Sequence, residues 1–407
     1  MQRRRVDGKG IVSSSGEGLV QRRRVVVLFG GRSAEHEVSC TSAVWALQSL
    51  DQTKYDVTAI GITKDGQWVA SENARELLAQ SAATGIHAFS RVSAEGPVVQ
   101  QRDVLAVASS TSSPTSALVP DAPGAMLPIV LPVLHGPFGE DGTVQGMLEL
   151  AGVPFVGSGV LSSSIAMDKI VAKTLFGSVG LPQADFRSRA VWDLNDTAAF
   201  ETFEEECREA FGYPMFVKPA NLGSSVGVSK VVDPDGFVSA VELAVGFDDW
   251  VIVEEAINGR EIEFAVLGNE RPMISVAGEI LPGSEFYDYD DKYLLDSSTC
   301  EIPAKLSDAE VHEGQRLALQ AYATLRCEGL ARVDFFFDDG TVRPNGRVPR
   351  GWLINEINTI PGCTPISMYP KLWEASGIDG TQLLDRLLEH AVARFERRSG
   401  RVGRTRG

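Results

Sequence analysis

A chain of 407 residues, 43% hydrophobic and 23% charged, exceeds what a single core supports, so two or three packed domains of ordinary globular composition are expected. No apolar run approaches the roughly 18 residues of a membrane span, which excludes an integral helical membrane protein. The net charge of -16 hides two basic ends: residues 1–24 hold seven Lys/Arg against two Asp/Glu, and residues 394–407 hold six Arg against one Glu. That leaves -26 on residues 25–393, a body that repels nucleic acid, and the tails read as solvating ends.

The first element is a strand at Val25–Phe29; its apolar run stops at Gly30-Gly31, too short for a signal-peptide core despite the preceding Arg22-Arg23-Arg24. A helix follows that Ser33 could cap, with Glu35 and Glu37 in its first turn. Tyr55–Thr63 and Ile129–Leu134 are buried-strand candidates, Thr143–Leu150 a helix and Pro154–Val156 a short strand, an alternation that predicts a parallel α/β domain. Ser109–Pro128, rich in Ser, Thr and Pro, reads as a surface insertion. Ser162–Val179 is a helix candidate. Phe216–Pro219 and Val226–Val232 flank a turn and predict a hairpin, and Trp250–Glu254 and Glu261–Leu267 are strands. Ser307-Asp308-Ala309-Glu310 is a capping box opening a helix that Gly329 closes. Ala331–Phe337 and Trp352–Asn358 are the last strands, and Gln382–Phe395 is a terminal helix. Five scattered cysteines without a C-x-x-C pair indicate neither a disulfide framework nor a zinc site, and point to a reducing, cytoplasmic setting.

Chemistry concentrates in the last two strands. Period-two geometry sets Arg332 with Asp334 on one face and Glu356 with Asn358 on one face, so pairing would converge two carboxylates, an amide and a guanidinium. Asp334, Glu356 and Asn358 offer the hard oxygens that Mg²⁺ shares with phosphate, and Arg332 would face developing negative charge. A solvated strand face is the plainer alternative; apolar neighbours at alternate positions turn this face toward a cleft. Lys218 precedes Gly223-Ser224-Ser225-Val226-Gly227, a loop whose amides and hydroxyls could cradle phosphate or form a plain turn. No G-x-x-x-x-G-K-[ST] is present, and Gly157-Ser158-Gly159 lacks the remaining parts of a dinucleotide fingerprint. Val251–Ile257 followed by Glu261 could stack a purine and offer a carboxylate to ribose, although many edge strands end in glutamates.

These segments together resemble the ATP-grasp superfamily, and within it the D-alanine:D-alanine ligases. The resemblance rests on Gly30-Gly31-Arg32-Ser33-Ala34-Glu35-His36-Glu37-Val38-Ser39, His135-Gly136-Pro137-Phe138-Gly139-Glu140-Asp141-Gly142, Met167-Asp168-Lys169, Lys218-Pro219 with the 223–227 loop, Tyr287–Tyr293, and Asn355–Gly362. It implies an α/β protein with an N-terminal parallel-sheet domain (25–168, insertion about 109–128) followed by two ATP-grasp α+β domains (169–261 and 262–395), between basic segments 1–24 and 396–407.

The resemblance also implies roles. Lys169 and Lys218 would hold ATP phosphates, Glu254, Glu255 and Ile257 the adenine, and Glu261 the ribose. Asp334, Glu356 and Asn358 would hold two Mg²⁺ or Mn²⁺. Glu35 would take the first D-alanine ammonium in a network with Ser224 and Tyr293, and His135 would lie near the substrates. Arg332 and the Gly362 amide would stabilise an oxyanion, and Ser367 and Met368 would receive the second carboxylate. Residues 284–299 would form a lid carrying Lys292 to the γ-phosphate. Glu255 stands where some relatives have lysine. Unaided by the resemblance, Glu35 reads as a helix-dipole partner and His135 as a satisfied core histidine. The implied partners are D-alanine and ATP, with a homodimer and neither nucleic acid nor membrane. The implied activity is ATP-dependent joining of two D-alanines for peptidoglycan synthesis. Rivals are ligation to D-lactate or D-serine, and a regulator that binds nucleotide without catalysis.

Overall fold

The computed structural model describes residues 22–70, 126–281, 299–338, 340 and 348–401. Most of the 109–128 insertion and the 284–299 segment, with Lys292 and Tyr293, lie outside these residues. Among the described residues no helix is long and apolar enough to cross a membrane.

In the first sheet β1 (Arg23–Gly30) lies between β2 (Tyr55–Ile62) and β4 (Ile129–Pro132), parallel to both, and β3 (Trp68–Ala70) pairs antiparallel with β2. β1 starts two residues before the expected Val25, because Arg23 pairs with Tyr55 and its amide bonds Lys54 O at 3.0 Å. The unbroken apolar run suits a strand covered on both faces. Val25, Val27 and Phe29 enter one core, while Val26 and Leu28 enter another with Trp68 and Leu148. α1 (His36–Ser49) is not capped by Ser33 as expected. The Ser33 hydroxyl accepts from the Glu35 amide at 3.1 Å and donates to His135 O at 2.7 Å, so it is spent on the turn.

α2 (Thr143–Ala151), α3 (Val160–Met167) and α4 (Lys169–Ser178) follow. The single helix expected over Ser162–Val179 is broken at Asp168, which is extended (φ -83°, ψ 106°) and whose carboxylate accepts from the Val171 amide at 2.9 Å. That N-cap starts a new helix and makes Lys169 its first residue.

The second sheet, antiparallel, runs β5–β8–β6–β7, from β5 (Phe186–Ala190), β6 (Met215–Pro219), β7 (Ser229–Val231) and β8 (Trp250–Glu255). α5 (Thr197–Ala210) and α6 (Asp235–Val245) pack on it through Phe203, Phe237 and Val241. The expected hairpin is β6–β7; its second strand starts at Ser229 instead of Val226.

The third sheet is antiparallel: β9 (Arg260–Gly268), β10 (Met273–Ile274), β11 (Gly278–Leu281), β12 (Thr299–Glu301), β13 (Gly329–Asp338) and β14 (Gly351–Asn358), ordered β12–β11–β9–β13–β14 with β10 beside β9. Ile262, Phe264 and Val266 face α7 (Asp308–Thr324), whereas Ala265 and Leu267 face α8 (Met368–Ala375) and α9 (Gly380–Ser399). The capping box of Ser307 and Glu310 is present with both bonds. Gly329 does not close α7, which ends at Thr324. It opens β13 at φ +79°, where a Cβ would sit 2.9 Å from the Gly157 amide nitrogen.

α9 corrects the reading of its arginines as a solvating tail. Arg394, 3% exposed, donates to the carbonyls of Phe155 (2.9 Å) and Gly157 and stacks on the Phe155 ring. Arg397 pairs with Glu270 and Glu328, and Arg398 with Glu328 (2.7 Å) and Glu149 (3.0 Å).

Candidate active site

Antiparallel pairing sets Arg332 opposite Asn358 and Asp334 opposite Glu356, with an irregularity directly after Asp334. The convergence read from the sequence is therefore present. Arg332 forks onto Asp334 at 2.8 and 2.7 Å and reaches Glu263 of β9 at 3.1 Å. Burial alone would lower the Arg332 pKa; the Asp334 and Glu263 carboxylates outweigh it and raise it well above the ordinary value. Asn358 Nδ2 donates to Asp334 at 2.9 Å, leaving its carbonyl oxygen as the ligand-type atom.

The adjoining cleft is lined by Glu140, Lys169, Leu222, Gly223, Glu356 and Asn358. Among the described residues no three His, Cys, Asp or Glu converge as a protein-only metal cage. Two carboxylates and an amide oxygen suit a hard divalent cation that takes its remaining ligands from phosphate and water, the usual habit of magnesium.

A lysine cluster flanks the cleft. Lys169 Nζ donates to Leu222 O at 2.5 Å and lies 3.8 Å from Glu356. Lys218 donates to one oxygen of Glu254 at 2.9 Å, and Lys173 lies 3.5 Å from the other. Burial would raise the Glu254 carboxyl, but Lys173 and Lys218 overcome it and hold it at about 2. At Lys173, burial wins and lowers the pKa, because Glu254 must answer more than one ammonium. Glu255 is also spoken for: its Oε1 accepts from Arg350 at 2.7 Å and from the Asp185 amide at 2.8 Å. Ile257, half-buried, lies in the connection from β8 to β9, and Glu261 is the second residue of β9, opposite Phe336.

On the other side Glu35, buried at the head of α1, accepts from the Ser224 hydroxyl. Ser224 and Ser225 hold φ of +53° and +59°, a conformation costly for side-chain-bearing residues that aims the hydroxyl across the cleft. Gly136 sits at φ +73°, where side chains are strained, and a Cβ there would lie 2.5 Å from Glu35 Oε2 and push that carboxylate aside. His135 is 4% exposed, its Nδ1 2.9 Å from Ile360 O and its Nε2 3.0 Å from Ser42 Oγ, so both ring nitrogens are committed to protein. Burial holds its pKa down to about 4 and keeps it neutral.

The Gly362 amide makes no hydrogen bond among the described residues. Ser367 Oγ is engaged with Thr364, accepting from its amide at 2.9 Å, and caps no α8 amide. Met368 buries its side chain against Gly278 and the core, so only its backbone can meet a ligand.

Sequence reasoning missed Glu140, Lys173, Ser42 and Arg350. Glu140 Oε1 accepts from the Gly136 amide at 2.9 Å; burial and the Glu35 charge push its carboxyl up to about 8. Its position inside the 135–142 motif was a signal. So was the spacing of Lys173, one helical turn beyond Lys169.

The chain matches the family models described as D-ala D-ala ligase N-terminus, over residues 24–158, and D-ala D-ala ligase C-terminus, over residues 175–389. The D-alanine–D-alanine ligase of Acetivibrio thermocellus is 43% identical over 378 residues, 92% of this chain and 97% of that protein. That of Chloroherpeton thalassium is 43% identical over 381 residues, 93% of this chain and 99% of that protein. Among solved structures, the D-alanine-D-alanine ligase from Coxiella burnetii superposes with a TM-score of 0.71 at 34% identity, covering 93% of this chain and 97% of that one. VanG D-Ala:D-Ser ligase from Enterococcus faecalis gives 0.73 at 34% identity, covering 91% and 100%. By both halves of the family model and by relatives of this identity over nearly its whole length, the chain belongs to the D-alanine–D-alanine ligase family.

Proposed function

We propose that the protein is an ATP-dependent, ADP-forming ligase that joins two D-alanine molecules through a D-alanyl phosphate, supplying dipeptide for peptidoglycan precursors in the cytoplasm. The observation that carries this reading is the convergence on one cleft of the Arg332–Asp334–Glu356–Asn358 cluster, Lys169, and the Glu35–Ser224 pair. An anionic polyphosphate and a cationic amino group thus have oppositely charged subsites a short distance apart.

In this reading Glu35 orients the first D-alanine by its ammonium, and the lysines at 169 and 218 draw charge from the phosphates. The first carboxylate attacks the γ-phosphorus and ADP leaves. The amine of the second D-alanine, after losing a proton, attacks the acyl carbon. Arg332 and the Gly362 amide hold the oxyanion until phosphate departs, so the protein contributes positioning and electrostatics. Asp334, Glu356 and Asn358 would hold magnesium or manganese, which supplies charge neutralisation on the polyphosphate. We place the homodimer of the family in the same proposal.

The test is phosphate release and dipeptide formation by the purified protein with ATP, Mg²⁺ and D-alanine, with D-serine and D-lactate arms. D-alanine-dependent phosphate matched by D-alanyl-D-alanine is expected. Phosphate release without D-alanine, or a higher kcat/KM for D-serine or D-lactate as second substrate, would overturn the assignment. Sedimentation tests the dimer separately.

A further inference from the structure

Ser42 lies in the middle of α1 and is fully buried. A helical serine ordinarily turns its hydroxyl back to the carbonyl four residues earlier, as the neighbouring Thr41 does to Glu37 O at 3.0 Å. Ser42 instead spends its hydroxyl outside the helix: Oγ lies 3.0 Å from His135 Nε2 and 3.1 Å from the Cys363 amide nitrogen.

Donor and acceptor chemistry fixes every proton of this chain. The Ile360 carbonyl can only accept, so His135 Nδ1 carries the ring proton and Nε2 accepts. The single Ser42 proton therefore goes to Nε2, and a lone pair of Oγ takes the Cys363 N–H. A segment of four residues, Ile360 to Cys363, is thus gripped at its first carbonyl and at its last amide. Between the grips Pro361 has no N–H, and the Gly362 amide is without a partner among the described residues. The grip leaves one free donor in the segment, and it is the one assigned to the oxyanion.

We propose that Ser42 is a positioning residue for acyl transfer: through His135 and the Cys363 amide it fixes segment 360–363 so that the Gly362 N–H meets the tetrahedral oxyanion. This rests on the assignment of Gly362 made above. Ser42 touches no substrate; it acts on the precision of a donor, whose complete removal typically costs about a hundred- to a thousandfold in turnover.

Ser42→Ala should lower kcat by about ten- to a hundredfold, with the KM for ATP changed less than about twofold. Affinity for a phosphinate analogue of D-alanyl-D-alanine should fall with kcat, while ADP affinity stays. The His135 ring should keep its Nδ1–H tautomer, held by the Ile360 carbonyl, while its Nε2 ¹⁵N signal shifts on losing the Ser42 proton, a change that loose packing alone would not cause. Ser42→Thr, which keeps the hydroxyl, should recover most of the kcat. Unchanged kcat and phosphinate affinity in Ser42→Ala overturns the proposal. Gly362→Pro, which deletes the amide proton, separates the two layers. If it turns over like wild type, the oxyanion assignment falls and takes the proposal with it. If it is slow while Ser42→Ala is normal, only Ser42 loses its role. Should Ser42→Ala not fold, hydrogen exchange in the wild-type enzyme decides. Protection of Cys363 without ligand, with Gly362 slowed at least about tenfold only by ATP and the phosphinate, supports the grip. Equal exchange at both amides overturns it.

Discussion

Replacing Glu140 by Gln tests the electrostatics of the cleft through the stability of the ligand-free protein. The carboxyl is buried, and its pKa is held at about 8 against an ordinary 4.5, by burial first and then by Glu35. A raised acid favours the folded state at low pH; the advantage is lost progressively as pH climbs from the unfolded value through the folded one. At pH 7 the unfolded chain has released this proton and the folded chain keeps it. By linkage that costs the wild type about 3 kcal/mol relative to a group that does not titrate, and less than about 1 kcal/mol near pH 5. Gln matches the shape and keeps an acceptor for the Gly136 amide. Ligand-free Glu140→Gln should therefore melt about 3 °C above wild type at pH 7, at about 1 °C per kcal/mol for a chain this long, and converge with it near pH 5. Scanning calorimetry of both proteins across this range is the assay. A melting difference that does not change between pH 5 and pH 8 would refute a proton held on Glu140.

Asp334→Ala and Glu356→Ala should each abolish turnover while leaving circular dichroism unchanged, since each removes an anionic oxygen from the proposed cation site; near-normal rates at limiting Mg²⁺ would remove that assignment. Arg350→Ala removes the guanidinium from the buried Glu255 carboxylate at the strand end assigned to adenine, and should raise the KM for ATP roughly tenfold, read by initial rates. Arg394→Met leaves the Phe155 and Gly157 carbonyls without their guanidinium, and should cost about 3 kcal/mol by calorimetry, whereas Arg316→Ala on the exposed face of α7 should leave the melting transition essentially unchanged.

The β13–β14 cluster was legible because strand alternation converts sequence order into facing directly, and the Ser307–Glu310 capping box and the β6–β7 hairpin were legible from local chemistry. Asp168 was misread because its apolar neighbours continue a helical pattern on both sides, while the break depends on one carboxylate turning back to the Val171 amide. Ser33 was misread for the converse reason: a good capping residue was taken by a partner a hundred residues away, His135 O. Glu140 and Lys173 escaped notice because a charge in sequence predicts exposure, and only the assembled cleft supplies the partners that let it be buried. His135, read from the residues alone as a satisfied core histidine, is one, and what the sequence did not give is its partners, Ile360 and Ser42, which come from separate stretches of chain.

The core beneath β1 gathers Val25, Val27 and Phe29 with Leu383, Leu384, Leu387 and Leu388 of α9, and Asp385 bonds Lys54 at 2.6 Å and the Tyr55 hydroxyl at 2.8 Å. On the ribosome, the first strand to emerge must therefore wait for nearly the last helix before the cover that Cys40, Ala43 and Ala46 of α1 begin is complete. A nascent chain halted anywhere before residue 380 carries a half-covered hydrophobic face at its oldest end, and a premature stop there would damage the beginning of the protein as surely as its end.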